Sequence, residues 1–229
     1  MHENSLQWLG HNAWLLRYAG VRILVDPYLT DNPKAAVTAE EVEAEYVLVS
    51  HGHGDHLGDT VPIAKRTGAA VLAIAEIGSW LKEQGVKNVI SMNIGGGVKL
   101  PFGRVEMVPA THSSTLPDGT PGGNSCGFLV TFSGGEVFYF ACDTGIFLDM
   151  QLLAKRHVHT AILPIGDLFT MGPAESLEAI RMIRPKYVLP CHYNTWRAIT
   201  QDVEKWREMV ARETDVTPVV LVPGEKYGF

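Results

Sequence analysis

Apolar residues fall along this chain in short, strand-length runs separated by turn residues, with longer amphipathic stretches between some of them. Near the start, Ser5 to Gly10, Ala13 to Tyr18 and Val21 to Asp26 read as strands, the last two joined by an Ala19-Gly20 turn. From the run Tyr46 to Ser50 onward, strands and helices alternate. A helix is expected near Thr60 to Arg66, a strand at Ala70 to Ala75, a helix from Glu76 to Gln84 ended by Gly85, and a strand at Asn88 to Met92. The second half repeats this order. Val98 to Leu100, Arg104 to Ala110, Cys126 to Phe132 and Glu136 to Cys142 form a new strand series. Helices at Phe147 to Arg156, Pro173 to Ile183 and Thr200 to Arg212 then alternate with strands at Thr160 to Ile165 and Lys186 to Pro190, before a last strand at Pro218 to Val222. Pro173 suits a first helical turn, where its missing N–H leaves no hydrogen bond unmade. Two successive blocks of this kind predict two sheets packed face to face with helices outside: an α/β (α+β) fold, a four-layer αββα sandwich.

The glycine-rich pieces at 95–97 and 119–123 are too short to separate domains, so residues 1–229 are expected to form a single domain. A chain of 229 residues, 46% of them hydrophobic, can bury a sizeable core. No run approaches the roughly 18 apolar residues of a membrane span, and the first residues lack a basic region followed by an apolar core, so a cytoplasmic protein without membrane partners is expected. The net charge of −6, with no Lys/Arg cluster, makes nucleic acid an unlikely partner, because gripping phosphates requires several basic groups. A small-molecule substrate is the expected partner. Cys126, Cys142 and Cys191 each sit in an apolar strand-like run, which fits buried reduced thiols better than a disulfide framework.

The chemistry concentrates after Tyr46 to Ser50, where the chain reads His51-Gly52-His53-Gly54-Asp55-His56. Four ligand-type side chains in six positions would repel one another if protonated and waste hydrogen bonds if buried unpaired. A divalent cation is the physical reason to bring them together. Gly52 and Gly54 are expected to let the backbone turn tightly so that these side chains converge. Three further ligand types stand at the exits of apolar strands: His112, Asp143 and His192.

These residues, in this order, resemble the metallo-β-lactamase superfamily hydrolases, and the match spans nearly the whole chain. Trp8-Leu9-Gly10-His11, Leu24-Val25-Asp26-Pro27-Tyr28 with Asn32-Pro33, Pro164-Ile165-Gly166-Asp167 with Thr170-Met171-Gly172-Pro173, and Pro190-Cys191-His192-Tyr193-Asn194-Thr195 are similar, more narrowly, to small prokaryotic metal-dependent hydrolases grouped near ascorbate-6-phosphate lactonase. The resemblance implies two divalent metal ions. His51, His53 and His112 would hold one, Asp55, His56 and His192 the other, and Asp143 would bridge them with a hydroxide. His and Asp donors suit Zn²⁺ and tolerate Mn²⁺, Fe²⁺ or Ni²⁺. Redox di-iron relatives usually carry Glu where this chain has His53, a departure that favours hydrolysis.

Around this set, Asp55 and His11 are the candidate catalytic residues, His11 being either a contact to substrate or an ordinary core histidine. Asp26 is expected to receive the N–H of a ligand imidazole and fix its tautomer, with a turn before Pro27 as the competing reading. Asp167 is expected either to orient the site or to shape the turn into the next helix. Tyr193 and Asn194 are candidate donors to a substrate oxygen, against plain turn chemistry. Ser113 and Ser114 lack the Gly-x-Ser-x-Gly setting of a nucleophile. His157 and His159 are expected to cap the preceding helix. The function expected is metal-dependent hydrolysis of a small ester-like substrate, a lactone, phosphodiester or thioester. A nuclease of the same superfamily and a non-catalytic metal-binding protein are the alternatives.

Overall fold

The computed structural model describes residues 4–229. The chain opens as an antiparallel meander of β1 (Ser5–Gly10), β2 (Ala13–Tyr18) and β3 (Val21–Val25). The two-residue turn between β2 and β3 has φ of 48° at Ala19 and 84° at Gly20, the doubly left-handed geometry whose twist matches a hairpin. β4 (Tyr46–Leu48), β5 (Ala70–Ile74) and β6 (Val89–Met92) then add in parallel to β3. Between them run α1 (Gly54–Leu57), α2 (Thr60–Thr67) and α3 (Ala75–Glu83), the last two packing on β5, and α3 on β6 as well.

The second sheet repeats the plan. β7 (Gly97–Leu100), β8 (Gly103–Pro109), β9 (Cys126–Phe132) and β10 (Val137–Phe140) are antiparallel neighbours, and β11 (Thr160–Pro164), β12 (Tyr187–Cys191) and the short β13 (Thr217–Pro218) follow in parallel. α4 (Pro173–Ile183) and α5 (Val203–Glu213) cover this sheet and are tied together by Trp206, whose buried Nε1 donates to Ser176 Oγ at 2.8 Å. β9, β10 and β11 are buried along almost their whole length, because side chains on both faces meet protein, and Phe128, Phe138 and Phe140 join Leu6, Leu9 and Trp14 of the first sheet in one core. The architecture is the expected αββα sandwich. Among the described residues, no helix is long and apolar enough to cross a membrane.

Three elements differ from expectation. Residues 147–156 form a 3₁₀ segment (Leu148–Arg156) in place of an α-helix, with Met150 and Leu153 inward at the i, i+3 spacing of that helix while Leu148 and Leu152 are exposed. The strand expected at 218–222 pairs only over Thr217–Pro218. The strand that the sequence does not announce is β14 (Lys226–Gly228), which pairs antiparallel with β1 and covers its open edge.

Candidate metal centre

Strand direction gathers the donors. β1 and β3 are each antiparallel to β2, and β4 is parallel to β3, so β1, β3 and β4 all end at one edge of their sheet. The same logic aligns β8, β10 and β12 in the other sheet. The two edges meet where the His192 N–H donates to the His11 carbonyl at 3.0 Å and the Cys126 N–H to the Ser50 carbonyl at 3.1 Å. At four of the exits the backbone swings sharply at a left-handed residue: His11 (φ 55°), Asp26 (44°), Cys142 (53°) and His192 (54°). That conformation costs a non-glycine residue about 1 kcal/mol or more, and its concentration here marks a site held in shape by its surroundings. Cys142 thereby spends its own side chain in the core and hands Asp143 to the cluster.

The motif after β4 is built differently from the tight glycine turn expected. Neither Gly52 nor Gly54 has positive φ. Gly54 instead opens α1, which carries Asp55 and His56, and Gly52 is small because a Cβ there would lie 3.0 Å from the Thr115 carbonyl oxygen.

A buried carboxylate sets the imidazoles. Asp26 Oδ2 accepts from Ser50 Oγ at 2.6 Å, from Asn12 Nδ2 at 2.8 Å and from His56 Nδ1 at 2.8 Å, while Oδ1 accepts the Ser50 N–H at 2.8 Å. Because the Ser50 hydroxyl gives its proton to Asp26, it can only accept from His51 Nδ1, 2.9 Å away. Both His51 and His56 therefore carry a proton on Nδ1 and turn Nε2 inward, the atom left to meet an ion. Asn12 and Ser50 escape sequence reasoning. Their one signal is position, each beside a histidine at a strand exit.

Inside this frame the donors fall into groups. His51 Nε2 and His112 Nε2 lie 3.0 and 3.3 Å from His53 Nδ1, a crowd that hydrogen bonding cannot satisfy, since one ring nitrogen offers one proton or one lone pair. Asp55 Oδ2 lies 3.2 Å from His11 Nε2 and 3.9 Å from both His56 Nε2 and His192 Nε2. Asp143 stands between the groups, with Oδ1 3.1 Å from His56 Nε2, and Oδ2 3.1 Å from His192 Nε2 and 3.5 Å from His112 Nε2. His56 Nε2 and Asp143 Oδ1, though this close, are misaligned, and among the described residues neither has a hydrogen-bond partner. Two buried, unpartnered donors aimed into the same space fit a divalent cation.

Electrostatics prepares several of the donors for such an ion, which takes neutral imidazole and ionised carboxylate. Burial pushes the His51 and His112 pKa values down, and burial together with His192 lowers His11 to about 4. Burial would raise Asp143, but His192 and His56 outweigh it and hold the carboxyl well below its usual range. His56 is the exception: burial opposes its charge, yet Asp143 and Asp26 hold its pKa well above that of free imidazole. Asp55, 27% exposed, is where solvent reaches the innermost donors.

Three residues singled out from the sequence are not brought into the cluster. Asp167 is exposed in a turn, its N–H donating to the Met171 carbonyl at 3.1 Å, and its side chain makes no hydrogen bond to the donors. Tyr193 turns its ring the other way, stacking on Trp8 at 5.3 Å, because the left-handed turn at His192 sends the two side chains in different directions. Asn194 bonds its side chain to both backbone groups of Gln201, at 2.8 and 3.1 Å, and so shapes a turn. Ser114 Oγ accepts the Gly52 N–H at 3.1 Å, and Ser113 Oγ sits 3.5 Å from His53 Nε2. His157 ends the 3₁₀ segment, whereas His159 stacks on Phe138. Cys126, Cys142 and Cys191 are free and buried.

Residues 5–192 match the Beta-lactamase superfamily domain. The chain is 46% identical over 227 residues to a UPF0173 metal-dependent hydrolase of Methanopyrus kandleri, covering 97% of this chain and 98% of that protein. It is 46% identical over 221 residues to one from Thermus thermophilus, covering 96% and 97%. Among solved structures, Igni18, a metallo hydrolase from the archaeon Ignicoccus hospitalis, superposes with a TM-score of 0.91 at 34% identity, covering 100% of this chain and 99% of that one.

Proposed function

The chain belongs to the metallo-β-lactamase superfamily and is a metal-dependent hydrolase, and from that premise we propose that it cleaves a small ester-like substrate at a centre of two divalent ions. His51, His53 and His112 would hold one ion, and Asp55, His56 and His192 the other, with Asp143 shared. Zn²⁺ is the ion best matched to this donor set, with Mn²⁺, Fe²⁺ and Ni²⁺ also accepted by its chemistry. Such ions, when bound, supply an activated water and stabilise charge developing on the substrate oxygen. The observation that carries the reading is the unpartnered pair His56 Nε2 and Asp143 Oδ1, both buried and facing one space.

The chain's own residues supply orientation and proton handling. Asp26 fixes His56 directly and His51 through Ser50, so one carboxylate would align donors of both ions. His11, held at Nδ1 by Thr195 Oγ1 at 2.8 Å and at Nε2 by Asp55, is placed to keep a proton next to the solvent-reached donor. The scissile bond is that of a lactone, phosphodiester or thioester. Residues 1–229 act as one domain in this reading, supported by the single core that both sheets share, and the three free thiols support a cytoplasmic setting.

Elemental analysis of purified protein, coupled to a panel of lactones, phosphodiesters, thioesters and β-lactams with and without chelator, tests the proposal. Two ions per chain and chelator-sensitive turnover of one class are expected. A single ion persisting in excess Zn²⁺ or Mn²⁺ would remove the dinuclear centre, and turnover indifferent to chelator would remove the metal from the reaction.

A further inference from the structure

Next to Asp55, aromatic rings gather around His11. The Trp196 ring lies 4.8 Å from the His11 ring with a 56° tilt, Tyr28 lies 5.8 Å away nearly edge-on, and Tyr28 and Trp196 are 6.2 Å apart. His11 is buried, whereas Trp196 is 37% exposed and Tyr28 half-buried. An exposed tryptophan is ordinarily mobile, but this one is anchored on both sides. Thr195 bonds His11, the Ile199 N–H donates to the Trp196 carbonyl at 3.1 Å, and Asn194 pins Gln201. The Tyr28 hydroxyl donates to the Asp31 carbonyl at 2.7 Å, so what remains for a ligand is its ring.

Both rings stand beside His11 and so next to Asp55, the partly exposed donor at the edge of the cluster. A flat group laid on them would gain stacking and apolar burial.

We propose that Tyr28 and Trp196 form an aromatic platform that receives an aryl portion of the substrate, and so favour aryl esters over alkyl ones. This rests on the hydrolase reading for its chemistry, though not for its binding. Tryptophan is not a metal donor and the Tyr28 hydroxyl is committed to the Asp31 carbonyl, so the platform is separable from the centre itself.

The test uses the full chain reconstituted with Zn²⁺, as wild type, Trp196→Ala and Trp196→Phe. Calorimetric titration with 2-naphthol should show binding that weakens about 10-fold in Trp196→Ala and largely returns in Trp196→Phe. In hydrolysis, the preference for phenyl acetate over ethyl acetate should fall by about 10-fold in Trp196→Ala, a ratio that partial misfolding would leave unchanged. The proposal is overturned if wild type does not bind 2-naphthol, if Trp196→Ala binds it equally well, or if the preference for phenyl acetate is unchanged in Trp196→Ala. Should neither ester be turned over, the hydrolase reading suffers while the titrations still decide the platform.

Discussion

Replacing Asp26 by Asn isolates the carboxylate that aligns the imidazoles, because the side chain keeps its size and leaves no cavity. Asp26 is fully buried and accepts four hydrogen bonds, three of them at Oδ2. An asparagine can put its oxygen at the Oδ2 position, but its NH₂ then confronts the Ser50 N–H, donor against donor. The opposite flip saves that bond and sets the NH₂ against Ser50 Oγ, Asn12 Nδ2 and His56 Nδ1. Either way at least one charge-assisted bond is lost and a buried donor is stranded, worth about 2–3 kcal/mol. Loss of the charge also removes one of the two carboxylates that hold His56 protonated in the metal-free protein. Urea unfolding of metal-free Asp26→Asn should therefore show a drop of about 2–3 kcal/mol at unchanged m-value. Competition with a chelator should show metal affinity lowered roughly 10–100-fold, since His51 and His56 lose their common alignment. The two measurements are made separately because bound metal adds its own stabilisation. Unfolding within about 0.5 kcal/mol of wild type, together with unchanged metal affinity, would refute the assignment of Asp26 as the organiser of the cluster.

Asp143→Ala should lose activity and metal together, because its two oxygens face His56, His192 and His112; retention of both ions with full turnover, read by elemental analysis and rate, would take it out of the shared position. His11→Ala should keep its metal while turnover falls about 10²–10⁴-fold if His11 handles a proton, and an unchanged rate per folded molecule would assign it to the core. Gly166→Ala should lower metal content by displacing His192, whose carbonyl oxygen would lie 2.2 Å from the new Cβ; a metal-replete variant of normal melting temperature would show that this loop yields instead. Tyr193→Phe should leave rate and metal content within about twofold of wild type, its ring being committed to Trp8, and a loss on the order of tenfold would return the hydroxyl to the substrate.

The sequence by itself determined most of the order of strands and helices, β14 and the short α1 excepted, and the identity of the donor-type residues. Strand runs such as Ser5–Gly10 and Cys126–Phe132 are legible because apolar side chains must be buried wherever they fall. His51 through His56 stand out because so many ligand types in so few positions have no cheaper explanation than a cation. Only the tertiary structure decided which strand-exit residues face the centre. His192 and Tyr193 are neighbours in sequence, yet one enters the cluster and the other stacks on Trp8, because a left-handed turn at His192 sets their directions. Asp26 and Asp167 both follow apolar strands with left-handed backbone, but Asp26 meets Asn12, Ser50 and His56 at the join of the two sheets, while Asp167 stands in solvent. The partners of Asp26 come from two separate segments, at residue 12 and at residues 50–56, and the His11, Tyr28 and Trp196 rings from three. Periodicity reports how a residue sits relative to its own element; which partners it meets depends on how the two sheets close on each other, and that is a property of the packed core.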